Sequence, residues 1–198
     1  MTIDTNDILN SILESISKID YIKPGDIPNI PLYMDQVTTF MDAQLSSSRR
    51  YESDKILTKT MINNYAKNDL LPPPTKKKYN REHLLLLVFI YYFKSLLTIT
   101  DIQSLLHPIT DKYFHGDKEL KLEDIYNEVF QLEKEQIEVL KEDIINRYQI
   151  SRETFSQAPQ EDQEFLKNFS FICLLSFDVY IKKQIIEKMI DQMNPPKK

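Results

Sequence analysis

LTKTMINNYAKNDLLPPPTKKKYNREHLLLLVFIYYFKSLLTITDIQSLL, residues 57–106, is the stretch whose reading decides the fold. Thr58 can accept a backbone N–H at a helix start, so a helix is expected from Thr58 to Asn68. It stops at Asp69-Leu70-Leu71-Pro72-Pro73-Pro74, where proline forbids continuation and Asp69 tolerates the left-handed conformation. Residues 75–80 read as a short, basic turn. Asn80 can cap the following helix, with Glu82 in its first turn. Residues 84–93 are apolar without a break, and a helix with no polar face is buried on all sides. Thr100 is expected to cap a short helix that carries Ile102, Leu105 and Leu106 inward and ends at Pro108.

Upstream, Ile8, Leu9, Ile12, Ile16 and Ile19 recur at helical spacing behind an Asp4 or Thr5 cap. Pro24, Pro28 and Pro31 mark a connector. Tyr33, Met34, Val37, Phe40, Met41 and Leu45 then give a second amphipathic helix. Downstream, residues 108–116 are expected to form a connector. An apolar stripe from Leu122 to Tyr148 predicts a long helix that thins around 132–136. Residues 151–160 form a loop before a last helix from about Glu161 to Met193.

Composition agrees. The chain has 198 residues, 41% of them apolar, and only two glycines, Gly25 and Gly116. Phosphate loops, dinucleotide fingerprints and nucleophile elbows need clustered glycines, and Gly-rich β-sandwiches need many turns. The first three cannot be built here, and a Gly-rich β-sandwich is not expected. One cysteine, Cys173, allows no internal disulfide and no thiolate zinc site. The expected fold is therefore all-α. Residues 1–107 form an N-terminal lobe with its core at 32–107, and residues 108–198 form long C-terminal helices in a bundle.

Charge is unevenly spread. Residues 49–83 hold nine basic and four acidic side chains, a net of +5 within a chain of net charge −5. A basic patch on an acidic body is the footprint expected of phosphate-backbone binding. On the 58–68 helix, Met61, Ile62 and Tyr65 can face inward while Lys59, Thr60, Asn63, Asn64 and Lys67 face outward. Asparagine can pair with adenine in the major groove, and lysine reaches guanine or phosphate. Lys76, Lys77, Lys78, Tyr79 and Arg81 extend the patch. Tyr65 and Tyr79 fit core packing and phosphate contact equally well.

Tyr65, Leu70-Leu71-Pro72-Pro73, Lys78-Tyr79, Glu82 and Leu84 in this order resemble the winged helix-turn-helix of MerR-type transcription regulators. The Asn-Asn-Tyr and Lys-Lys-Lys-Tyr pattern over residues 32–106 is similar to an uncharacterised bacterial family, domain of unknown function 1836. The first resemblance implies a recognition helix at 58–68, a wing at 75–80 and a sequence-specific DNA-binding regulator of transcription. Asn63 stands where MerR-type proteins place an arginine, so a protein-interaction module with a degenerate helix-turn-helix is the alternative.

His83, His107 and His115 have no common metal-binding face, and no nucleophile stands beside a base. No enzyme activity, metal or cofactor is expected. The N-terminus lacks a signal-peptide layout, and ten apolar residues cannot span a bilayer that needs about twenty. The expectation is a cytoplasmic protein with double-stranded DNA as partner and no membrane contact. Ile185, Ile186, Met189 and Ile190 leave apolar surface on the last helix, so a homodimer through the C-terminal helices is expected. The sequence names no effector.

Overall fold

The computed structural model describes residues 5–17, 22–114 and 119–193. The elements run α1 (Thr5–Ser17), β1 (Leu32–Tyr33), α2 (Met34–Gln44), α3 (Lys59–Lys67), β2 (Lys78–Tyr79), α4 (Arg81–Phe93), α5 (Ile99–Tyr113), α6 (Leu122–Glu135), α7 (Ile137–Arg152) and α8 (Gln160–Met193). Short 3-10 turns occupy Pro24–Asp26 and Ser46–Ser48. The fold is all-α, with one two-stranded ladder. The proposed Asp4 cap and Ile19 lie outside the described residues.

Two compact units make up the chain: Met1–Ile19 with Leu132–Ile186, and Asp20–Gln131 with Glu187–Lys198. The second is organised on α4. His83 and the seven residues from Leu84 to Ile90 are all buried, as a helix apolar on every face requires. Burying those seven apolar side chains is worth on the order of 10–20 kcal/mol gross, before ordering entropy is subtracted. Val37 and Met41 of α2, Ile62 and Tyr65 of α3, Ile102 and Leu106 of α5, and Tyr126 and Phe130 of α6 are buried in the same unit. Phe89 meets Tyr126 at 5.5 Å and Phe130 at 5.6 Å between ring centroids. The buried Tyr126 hydroxyl donates to the Ile22 carbonyl at 2.6 Å, so its polar end is satisfied.

In the other unit, Ile144 and Tyr148 of α7 and Phe171 of α8 form the buried centre, with Leu9, Ile12, Leu13 and Ile16 of α1 and Leu175 packed around it. Tyr148 and Phe171 meet edge to face at 5.4 Å. Arg147 joins Asp143 at 2.6 Å and Asp178 at 3.3 Å, linking α7 to α8. The thinning of the apolar stripe is a real break, with Gln136 between α6 and α7.

Residues 98–113 depart from expectation. Thr98, not Thr100, caps α5. Its hydroxyl accepts the Asp101 N–H at 3.2 Å, and the Asp101 carboxylate accepts the Thr98 N–H at 3.2 Å. Only Thr98 stands three residues before the acid, as a reciprocal capping box requires. Pro108 does not end the helix; it lies inside α5, which continues to Tyr113.

Candidate nucleic-acid interface

Local chemistry fixes both ends of α3. The Thr58 hydroxyl accepts the Met61 N–H at 3.1 Å. At the other end Asp69 adopts φ 53°, the Leu70 N–H reaches the Tyr65 carbonyl at 2.9 Å, and the Asp69 N–H reaches that of Ala66 at 3.4 Å. This pair of bonds is a Schellman motif with aspartate in the place glycine usually takes. Its apolar partners, Tyr65 and Leu70, are both buried. So pinned, α3 turns Ile62 and Tyr65 into the core and leaves Lys59, Thr60, Asn63, Asn64 and Lys67 exposed. The side-chain amides of Asn63 and Asn64 have no hydrogen-bond partner among the described residues.

The basic turn is a hairpin tip. The Lys78 N–H donates to the Thr75 carbonyl at 3.0 Å, and Lys76 (φ 51°) and Lys77 (φ 64°) between them are both left-handed. That is the mirror-image two-residue turn, which normally takes Asn-Gly. Each lysine there is strained by roughly 1–2 kcal/mol. β2 then pairs antiparallel with β1 in the register Leu32–Tyr79 and Tyr33–Lys78. Lys76 and Lys77 are exposed, with no ion pair among the described residues.

The start of α2 lies between α3 and the hairpin. Tyr33 carries the Lys78 ammonium over its ring at 4.9 Å, and Asp35, two residues on, pairs with Lys59. The sequence places Tyr33 in the apolar stripe of α2. It sits on β1 instead and is 53% exposed. Neither Tyr33 nor Asp35 carried a sequence signal for this place, because the pairing of residues 32–33 with 78–79 is not visible in local periodicity.

Two residues expected in the patch do structural work. Tyr79 is buried at 3% exposure, and desolvation raises its phenol above the usual 10.0. Between core packing and phosphate contact, its ring takes the core. Arg81 donates to the Pro24 carbonyl at 2.7 Å and to Glu123 at 2.8 Å, and also bonds Asn29, so its charge is spent inside the unit. His83 completes the base of the hairpin. Its Nδ1 accepts the Asn80 N–H at 3.1 Å while its own backbone N–H donates to the Asn80 side chain at 3.1 Å. Nε2 faces the Pro72 carbonyl at 3.2 Å, an acceptor to which a protonated ring nitrogen can donate.

This geometry defines a mostly helical domain that exposes a polar helix face and a strained lysine hairpin. The sequence profile of the family described as Domain of unknown function (DUF1836) matches residues 22–130. The chain belongs to that family, and the match covers nearly all of Asp20–Gln131, the larger segment of the unit built on α4. No curated protein and no solved structure matches the chain. No helix among the described residues is long and apolar enough to cross a membrane.

Proposed function

We propose that this protein is a sequence-specific DNA-binding regulator of transcription, a winged helix-turn-helix of the MerR kind acting as a homodimer. In this reading α3 is the recognition helix and residues 75–80 are the wing. The observation that carries it is the pair Lys76-Lys77. Two exposed lysines hold a backbone conformation that glycine or asparagine would hold with less strain. Strain of this kind persists where the side chains serve a ligand. The outward face of α3 supports the same reading, since Asn63 and Asn64 are unengaged and able to read base edges.

The test is fluorescence anisotropy of the purified protein on genomic fragments selected by it, across a salt series. Lys76→Ala/Lys77→Ala/Lys78→Ala is expected to keep its helicity by circular dichroism. Its log–log salt slope should shrink by up to about 0.9 per lost phosphate contact. Unchanged slope removes the wing from the interface. A second reading, a protein-interaction module, is favoured by one observation: Asp35 neutralises Lys59 on the face that would meet DNA. No DNA binding by the wild type at about 50 mM salt, where phosphate contacts are strong, decides for it.

A further inference from the structure

A second basic feature lies on the unit built on α4, next to the start of α3. A pocket opens between residues 48–56, in the connection from α2 to α3, and the end of α4. Four cations line it, Arg49, Arg50, Lys55 and Lys94, against one carboxylate, Asp54. Lys94 caps the end of α4. Its ammonium lies over the Tyr91 ring at 4.6 Å and donates one N–H to the Ile56 carbonyl at 2.8 Å. That leaves two N–H donors on a half-buried cation. Arg49 pairs with Asp42 through one terminal nitrogen, yet its Nε–H is buried with no hydrogen-bond partner. Arg50 stacks over Tyr51 at 5.2 Å, and neither it nor Lys55 has a carboxylate partner among the described residues.

With Arg49 set against Asp42 and one further cation offset by Asp54, an excess of two positive charges surrounds this concave site, a poor arrangement for an empty pocket. A single carboxylate would under-fill it. A phosphoryl group brings up to two charges and three acceptor oxygens, which suit guanidinium forks and a lysine together. We propose that this pocket binds a phosphoryl group, carried by a small phosphorylated ligand. Burial already lowers the Lys94 pKa below its usual 10.5, and a bound anion would draw it back up. The site also has a path to α3. Lys94 holds Ile56, and Ile56 stands two residues before the Thr58 cap, so a ligand that tightens this loop acts on the start of the recognition helix.

The same chemistry could come from the DNA backbone, and the experiment separates the sources. Thermal unfolding is followed with inorganic pyrophosphate against sodium chloride at matched ionic strength. The wild type is expected to gain several degrees in Tm from pyrophosphate. Arg50→Ala/Lys55→Ala, at two exposed positions, should abolish the gain, and the triple lysine hairpin variant should keep it. This arm does not depend on the DNA reading. If pyrophosphate does nothing but the double variant loses up to about 0.9 per contact in its DNA salt slope, the phosphoryl group is the backbone's and the small-ligand assignment falls. If neither quantity moves, the pocket binds no phosphoryl group.

Discussion

At the scale of single residues, the hairpin tip sets stability against binding. Lys76→Asn/Lys77→Gly installs the pair that the turn prefers. Urea unfolding should show a gain of about 1–2 kcal/mol, the strain of non-glycine residues at positive φ being relieved, while anisotropy shows weaker DNA binding. A stability gain with unchanged affinity would mean that the lysines serve no ligand. Tyrosine ionisation gives a second test. Burial raises the Tyr65 and Tyr79 phenols above 10.0 in the folded state. Between 10.0 and those raised values the unfolded chain has lost protons that the folded chain keeps, so stability falls as pH rises. Lys94, lowered from 10.5, has the opposite sign, but its contribution ends once pH passes 10.5. Chemical unfolding should therefore show a loss above pH 10.5 that shrinks in Tyr79→Phe. A loss of the same size in that variant would refute the assignment to Tyr79. The outward residues of α3 were legible in the sequence because helical spacing separates them from Ile62 and Tyr65. Tyr79 and Arg81 were not, since a basic run does not say which of its members meet Glu123 or the core.

At the scale of elements, local rules located most boundaries and failed where two of them competed. Thr58 and Asn80 cap as expected, each accepting the N–H three residues on. Thr98 and Thr100 both precede Asp101, and only the three-residue spacing tells them apart. Pro108 is the sharper failure: its fixed φ is compatible with a helix, and exposure of its surface lets α5 pass through. A proline inside a helix is less favourable than alanine by about 3 kcal/mol. Pro108→Ala should accordingly raise Tm and helical circular dichroism, with a gain in stability of up to about that size. No gain would mean that the packing of α5, not its backbone, sets its stability.

At the scale of the whole molecule, α8 presents two apolar faces. Phe171 and Leu175 face the core with α1 and α7. Phe165, Phe169, Ile172, Val179 and Tyr180 fall on another face at helical spacing and remain 51–70% exposed. Of the four residues the sequence offered, Ile185 and Met189 are exposed, Ile186 is half-buried and Ile190 is buried at 4%. The five residues offer roughly 500 Å² of apolar surface, taking 150–250 Å² for a full aromatic side chain. A standard interface needs about 800 Å² per partner, so polar flanks would supply the remainder of a twofold contact. Light scattering should give twice 23.5 kDa. Phe169→Glu should return the mass to one copy with the melting profile of the DUF1836 unit unchanged. A single-copy mass for the wild type at micromolar concentration would end the dimer proposal.

Arg81 carries a consequence for synthesis on the ribosome. Its partners lie at Pro24, already emerged when Arg81 is made, and at Glu123, which follows 42 residues later. Tyr126 and Phe130, which meet Phe89, come later still. A nascent chain that has just released α5 therefore holds a half-buried arginine without its carboxylate and an aromatic patch without its cover. Long-range closure of this kind is slow relative to helix formation. Folding of this unit is expected to complete only after α6 leaves the exit tunnel, and the interval before that is when the chain is most exposed to chaperones and aggregation.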